Sequence, residues 1–138
     1  MIVMKNLMEG LDSNNIAGIL LMVKDEVLVL YKHNSEIDIP KGHIQLSETP
    51  LEGIQRELNE EAGIVLHTEP QYLGKIQVKS SKKLYMYAYQ TNQIVDVKVS
   101  SEHSGYDFIP INEVTSDFFW SPVQYFFNKL MEKKDEIA

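Results

Sequence analysis

The chain has 138 residues, of which 43% are hydrophobic and 24% charged, and it contains no cysteine. This length and composition predict one globular domain and exclude disulfides, zinc–thiolate sites and a cysteine nucleophile. The formal net charge of −7 disfavours binding to nucleic acid or to an anionic membrane, because such binding depends on phosphate neutralisation by lysine and arginine.

The first part of the chain combines a segment without sorting signals and a predicted β-hairpin. Residues 1–13 lack a basic region followed by a long apolar run, and no stretch of the chain approaches the length of a membrane span. We therefore expect a cytoplasmic protein with no membrane partner, as a monomer or homodimer.

Residues 15–23 and 26–31 are apolar runs separated by two polar residues, which predicts a hairpin with a buried first strand. Residues 32–38 are predicted to be a polar connection.

A helix is predicted between Thr49 and Gly63. Thr49-Pro50-Leu51-Glu52 has the pattern of a capping box, in which threonine is the N-cap, proline takes the first helical position and Glu52 reaches back. Gly63 suits the left-handed residue just past a helix end. Both ends of the helix are therefore predicted from local signals.

Three glutamates share one face of this helix. At about 100° per residue, Glu57, Glu60 and Glu61 fall within one arc, beside an apolar stripe that faces the core. Like charges at these spacings repel by a few tenths of a kcal/mol per pair, so the arrangement costs stability unless a cation lies there. Hard divalent ions prefer such oxygen ligands. From these three residues alone, a solvated acidic face and a metal site are both open interpretations.

Further strands and a last helix are predicted after this helix. The strands are expected at residues 65–66, 72–78, 83–90, 95–99 and 107–109, with a turn at Ser80-Ser81. A capping-box pattern at Ser121 opens a helix over about 121–134 that closes the core. Alternation along the strand at 83–90 places Tyr85 and Tyr87 on one face, which either packs under a helix or forms a platform on which a nucleobase stacks.

A longer motif covers residues 42–64. It matches the pattern G-x5-E-x7-R-E-U-x-E-E-x-G-U, where U is aliphatic, at every fixed position, so the chain resembles the Nudix hydrolase family. The charged and glycine residues of the match are Gly42, Glu48, Arg56, Glu57, Glu60, Glu61 and Gly63. This resemblance implies an α/β fold, an α/β/α sandwich with a mixed β-sheet between helices, formed by residues 1–138 as a single domain.

The resemblance also implies a metal-dependent reaction. Mg²⁺ or Mn²⁺ would assist the attack of water on one phosphorus of a diphosphate link, with Glu57 or Glu102 taking the proton. The implied metal ligands are Glu57, Glu60, Glu61, Glu102 and the main-chain carbonyl of Lys41. Glu48 would orient the site. Arg56 has a role that can be argued separately, because a planar guanidinium can hold a carboxylate such as Glu60, one turn away, and keep it aimed.

Two short matches resemble diadenosine tetraphosphate (Ap4A) hydrolases within that family. One is Pro40-Lys41-Gly42-His43, and the other is the run from Val99 to His103 with the aromatic residues that follow it. The substrate-binding residues implied by this likeness and by the tyrosine face are Lys41, His43, Lys83, Tyr85 and Tyr87. The chain departs from the usual pattern at Ser47 and at Glu36-Ile37, where glycine and an aromatic residue are usual.

The substrate expected from these matches is a nucleoside polyphosphate, and the favoured reaction is asymmetric hydrolysis of Ap4A to ATP and AMP. The alternative reaction is pyrophosphohydrolysis of nucleoside triphosphates or of 5′-triphosphorylated RNA, although an acidic chain with one arginine disfavours long RNA contacts. An alternative of another class is a nucleotide sensor without turnover. His43 is expected to contact phosphate or support its loop, whereas His33 and His67 are expected at the surface.

Overall fold

The computed structural model describes residues 15–79 and 81–137. Within them the chain forms one mixed sheet, two helices and a short 3₁₀ turn at Ile111–Glu113. The strands are β1 (Ile16–Val23), β2 (Glu26–Lys32), β3 (Ile37–Asp38), β4 (Lys41–His43), β5 (Gln71–Lys79), β6 (Lys82–Thr91) and β7 (His103–Pro110). The helices are α1 (Pro50–Ala62) and α2 (Ser121–Ile137). The predictions on residues 1–13 and on Ser80 lie outside the described residues.

Strand β1 is the centre of the sheet. It runs parallel to β6 along its whole length, while its first residues pair antiparallel with β4 and its last residues with β2. On the outer sides, β2 pairs with β3 and β7, and β5 pairs with β6. Because β1 is covered on both faces, nearly every residue in it is buried, which explains why it is an unbroken apolar run.

The two helices cover opposite faces of this sheet. On one face Ile54, Leu58 and Ala62 of α1 pack against alternate residues of β1. On the other face Val123 and Phe126 of α2 pack against the remaining alternate residues. The predicted α/β/α arrangement around a mixed sheet is therefore confirmed.

Helix α1 begins and ends where the sequence predicts. The Thr49 hydroxyl accepts a hydrogen bond from the backbone N–H of Glu52 at 3.1 Å, and the Glu52 carboxylate accepts one from the N–H of Thr49 at 2.8 Å. Gly63 lies in the left-handed region with φ 67°, and its N–H donates to the carbonyl of Asn59. These caps fix which way the glutamates of the helix point.

Helix α2 differs in detail from the prediction. The side chain of Ser121 makes no capping hydrogen bond with a described residue; instead the side-chain oxygen of Gln124 accepts from the backbone N–H of Phe119 at 2.9 Å. The helix also continues to Ile137, past the predicted end near residue 134.

In the part of the chain that the structure describes, no helix is long and apolar enough to cross a membrane.

Two predicted strands are wrong, at residues 65–66 and 95–99. The second segment packs its valines into the core under α1, and its end pairs with the helix rather than with the sheet. Lys98 N–H donates to the carbonyl of Ala62, and Ser100 N–H donates to that of Glu61. These carbonyls are open because a helix leaves its last carbonyls without partners. Conversely, β3 lies within residues 32–38, which were predicted to be a polar connection, and β4 lies in a segment for which no strand was predicted.

Candidate active site

The only arginine of the chain binds three glutamates at once. Arg56 donates from Nε to Glu48 at 2.6 Å and from Nη2 to the second oxygen of the same carboxylate at 3.1 Å. Its Nη1 donates to Glu57 at 2.8 Å and to Glu60 at 3.0 Å, and Nη2 also donates to the carbonyl of His43 at 2.9 Å. The guanidinium thus joins the loop before α1 to the acidic face of α1.

Strand β4 lies close against that acidic face. A Cβ added at Gly42 would collide with the carboxylate of Glu57, so only glycine leaves room for the side chain there. The backbone N–H of Lys41 donates to the carboxylate of Glu61 at 3.0 Å, and Glu61 is only 6% exposed. The main chain of β4 therefore helps to orient two of the glutamates.

An open cavity of about 770 Å³ lies beside the acidic face of α1, and one of its walls is formed by Arg56, the glutamates of that face and strand β4. The carboxylates on this wall belong to Glu57, Glu60, Glu61 and Glu102. Glu102 reaches the cavity from the turn before β7 and lies close enough to Glu57 for their charges to interact. The structure therefore brings together all four carboxylates that the sequence assigned to metal binding.

Basic side chains line the cavity from the side of β2 and β4. They include Lys32, Lys41 and His43. The Lys41 ammonium lies 3.0 Å from the carboxylate of Asp38. Burial lowers the pKa of His43, and the positive charges of Lys82 and Lys41 lower it further. A cavity with acidic and basic residues can hold cations and phosphate groups together.

Burial and neighbouring charges shift the pKa values of the glutamates on the acidic wall. The pKa of Glu61 is raised to about 8, first by burial and further by the charges of Glu57 and Asp38, while the N–H of Lys41 opposes this rise. Burial also raises the pKa of Glu57 against the opposing effect of Arg56. By contrast, the hydrogen bonds from Arg56 hold the pKa of Glu48 below its ordinary value. Glu61 is thus costly to ionise without a nearby cation.

A pH-dependent stability is expected from Glu61 in the absence of metal. Its pKa is about 8 in the folded protein against an ordinary value of 4.5. Between these values the folded state binds more protons than the unfolded state, so the free energy of unfolding falls as pH rises through this window. Glu61→Gln removes this effect. In EDTA the variant should melt at nearly the wild-type temperature at pH 4.5 and at least about 5 °C higher at pH 8.

Thermal melts between pH 4.5 and pH 8 check this expectation. Glu132→Gln, an exposed position on α2, is the matched control and should follow wild type throughout. Parallel melting curves of wild type and Glu61→Gln at all pH values would contradict the assigned burial cost.

The donor set fits a hard divalent ion. Carboxylate and carbonyl oxygens are the ligands that Mg²⁺ and Mn²⁺ prefer, and such an ion would favour the ionised form of Glu61. Among the described residues, no three acidic or histidine side chains converge closely enough to hold an ion as they stand. Arg56 binds one oxygen of Glu57 and one of Glu60, which leaves the second oxygen of each carboxylate without a hydrogen bond to a described residue and open to an ion. The metal ligands, including the Lys41 carbonyl, remain a prediction.

Three of the predicted substrate-binding residues lie elsewhere. Lys83, Tyr85 and Tyr87 do not line the cavity. Lys83 is exposed on β6, and the neighbouring Lys82 is the lysine whose charge acts on His43. Tyr87 is 6% exposed and packs in the core under α1, with its ring 5.3 Å from that of Tyr72. The packed interpretation of the tyrosine face therefore agrees with the structure, and an open stacking platform does not.

Tyr87→Ala should lower the melting temperature and leave substrate preference unchanged. Removing a buried aromatic side chain costs about 3–5 kcal/mol, whereas a residue outside the cavity has no selective contact to lose. A thermal melt together with KM for Ap4A and for inorganic polyphosphate checks this. A selective rise of KM for Ap4A with an unchanged melting temperature would restore the stacking platform.

Several residues of the cavity carried no signal that assigned them a role. Asp38 and His103 are brought together there, 3.5 Å apart, although they are far apart in sequence. His33 is exposed as predicted, yet it also lines the cavity and its Nε2 lies 2.7 Å from the carbonyl of Ser101. Only the motif that contains Glu102 and His103 pointed to this region from the sequence.

Comparison with known proteins identifies the family of the chain. The sequence model of the NUDIX domain matches residues 12–130, so the chain belongs to the Nudix family. The predicted family is thereby confirmed. The fold described above is thus that of a Nudix domain. A search of curated proteins gave no significant sequence match.

Solved structures with the same fold include a MutT protein, an Ap4A hydrolase and a NUDIX domain. A MutT protein from Methanosarcina mazei Go1 is 22% identical, with 87% of this chain and 94% of that chain covered and a TM-score of 0.71. A C. elegans Ap4A hydrolase is 19% identical, with 88% and 98% covered and a TM-score of 0.74. The NUDIX domain of Shewanella oneidensis NrtR, complexed with ADP ribose, is 14% identical, with 85% and 87% covered and a TM-score of 0.69. At these identities the likeness establishes the fold.

Proposed function

We propose that the protein is a divalent-metal-dependent hydrolase that cleaves a diphosphate link in nucleoside polyphosphates. The favoured reaction is asymmetric hydrolysis of Ap4A to ATP and AMP. The observation that carries this proposal is the cavity in which four carboxylates lie beside Lys32, Lys41 and His43. A protein of net charge −7 repels polyphosphates unless cations are concentrated at the site, and this cavity can supply them.

Each residue of the cavity has a chemical role in this reaction. Mg²⁺ or Mn²⁺, when bound by the four glutamates and the Lys41 carbonyl, supplies positive charge for the phosphates and makes water more acidic. Arg56 holds Glu57 and Glu60 in place through the hydrogen bonds of its guanidinium. Lys41 and His43 face the phosphate chain. Water attacks one phosphorus, the bridging P–O bond breaks, the electron pair leaves with the departing phosphate, and the proton of water passes to Glu57 or Glu102.

A place for a nucleobase adjoins this cavity. A groove of about 620 Å³ shares Lys41 and Asp38 with the cavity and continues along Ile37, Phe118 and Trp120. Trp120 is 44% exposed, so an indole face is available for stacking, which is worth about 1–3 kcal/mol per base. The groove supports a substrate that carries both phosphates and a base, and it takes the place of the tyrosine platform expected from the sequence.

Trp120→Ala should raise KM for Ap4A about 10-fold, the loss of one stacked base, and change KM for inorganic polyphosphate little. Tyr125→Ala is the matched control, because Tyr125 is 45% exposed on α2 and does not line the groove. Steady-state kinetics with Ap4A and with inorganic polyphosphate show whether the shift of KM is selective for Ap4A. An equal shift on both substrates would remove Trp120 from base recognition.

Hydrolysis of nucleoside triphosphates is the second candidate function. The groove along Phe118 and Trp120 offers a place for one base, and a mononucleotide has only one base to hold. The Ap4A reaction is favoured by the Pro40-Lys41-Gly42-His43 run and by the motif around Glu102.

Product analysis by chromatography tests the proposal. The purified protein is incubated with Ap4A, nucleoside triphosphates, ADP-ribose and 5′-triphosphorylated RNA, each with Mg²⁺ or Mn²⁺ and each with EDTA. ATP and AMP in equal amounts from Ap4A, formed only with metal, are expected. Preferred release of pyrophosphate from triphosphates would support the second candidate. Binding of a nucleotide without turnover of any compound would favour a sensor and overturn the proposed reaction.

A further inference from the structure

The carboxylate of Glu102 has no anchor of its own. It makes no hydrogen bond or ion pair with another described residue, and it lies within electrostatic reach of the Glu57 carboxylate, which repels it. Its place in the cavity therefore depends on the turn that carries it. One end of that turn is held to α1 by the hydrogen bond from Ser100 N–H to the carbonyl of Glu61 at 3.1 Å.

The rest of the turn is held at two points: His33 Nε2 lies 2.7 Å from the carbonyl of Ser101, and the far end of the turn carries a buried histidine. His103 follows Glu102 directly, its side chain is 5% exposed, and its Nε2 lies 3.5 Å from the carboxylate of Asp38. The second oxygen of that carboxylate lies 3.0 Å from the ammonium of Lys41. Asp38 thus connects the turn of Glu102 with strand β4, whose main chain orients Glu61.

The second ring nitrogen of His103 argues against stability as the reason for a histidine at this position. Nε2 faces a carboxylate and donates to it, which leaves Nδ1 buried and without a hydrogen-bond partner among the described residues. An unsatisfied buried polar atom costs about 1–3 kcal/mol. An apolar side chain of similar size could be buried here without leaving a polar atom unpaired. The contact with Asp38 therefore explains the imidazole better than packing does.

We propose that His103 is a positioning residue that, through Asp38, holds the Glu102 turn over the acidic face of α1. The contact opposes the repulsion between Glu102 and Glu57 and keeps both carboxylates on the same wall. This inference rests on the proposed function, in which Glu102 takes part in metal binding or proton transfer.

A double-mutant cycle with Glu102 tests the proposal. His103→Leu should lower kcat about 10-fold while leaving the melting temperature unchanged or raised. His103→Gln should recover most of the rate, because its amide nitrogen can take the place of Nε2 beside Asp38. If His103 acts only through Glu102, the double variant Glu102→Gln/His103→Leu should be no slower than Glu102→Gln alone. His67→Leu, an exposed histidine outside the cavity, is the control.

Mn²⁺ affinity, measured by titration with electron paramagnetic resonance, tests the same double-mutant cycle without requiring turnover. His103→Leu should weaken Mn²⁺ binding as Glu102→Gln does, and the double variant should be no weaker. This readout holds even if no substrate is hydrolysed, so a failure of the proposed function remains distinguishable. Multiplicative losses in the double variant, a loss of rate that follows a lowered melting temperature, or Mn²⁺ binding that is weakened by Glu102→Gln but unchanged by His103→Leu would each overturn the positioning role.

Discussion

Glu57→Gln is expected to lower turnover by about 10² or more and to leave the fold intact. The Glu57 carboxylate lies against the backbone of Gly42 and accepts a hydrogen bond from Arg56 at 2.8 Å. Glutamine has the same shape and can still accept that bond, so packing is preserved. Glutamine lacks the negative charge that helps to bind a divalent ion and to accept a proton from water. The loss corresponds to about 2.7 kcal/mol of transition-state stabilisation.

The measurement is kcat at saturating Mg²⁺, together with a thermal melt and a circular dichroism spectrum. Glu61→Gln should show a comparable loss, and Glu69→Gln, an exposed position outside the cavity, should behave as wild type. Near-wild-type turnover of both Glu57→Gln and Glu61→Gln at saturating Mg²⁺ would exclude the metal assignment.

Features set by neighbouring residues were predictable from the sequence. The capping box at Thr49, the left-handed Gly63 and the shared face of the glutamates depend on spacings within one helix, and the structure has all three. The buried strand β1 was predictable because its apolar run is long and unbroken. Helix α1 and β1 together place most of the acidic wall.

Features set by packing between distant elements were not predictable. Alternation along β6 assigns Tyr85 and Tyr87 to one face, but it does not say that this face packs in the core beneath α1. The exposure of Trp120, which is 44%, was not predictable either, because it lies next to a loop that Gln124 anchors through the N–H of Phe119. A valine pattern at residues 95–99 predicted a strand because packing under a helix end produces the same alternation.

The charge pairs that complete the site are also long-range. Asp38 and His103 meet because β3 and β7 both pair with β2, and no local spacing records that. Arg56 is an intermediate case. Its i,i+4 contact with Glu60 was predictable, while its two hydrogen bonds to Glu48 and its bond to the His43 carbonyl depend on the path of the loop before α1.

Arg56→Lys should lower kcat by about 10², although it keeps the charge. The guanidinium holds both oxygens of Glu48 with one edge and reaches Glu57 and Glu60 with the other. Lysine places its donors around a single nitrogen and cannot span these carboxylates in a planar fork. Glu57 and Glu60 then lose the group that aims them, and a small misplacement of catalytic groups costs about 10² in rate.

Kinetics at saturating Mg²⁺ and a thermal melt check this expectation. The melting temperature should also fall, because Glu48 is largely buried and its carboxylate would lose a paired partner. Lys129→Arg on the exposed side of α2 is the control for exchange between the two basic residues, and it should change neither rate nor melting temperature. An unchanged kcat in Arg56→Lys would mean that Arg56 only balances the charge of the acidic wall. A lower kcat at constant net charge instead assigns the effect to the geometry of the guanidinium.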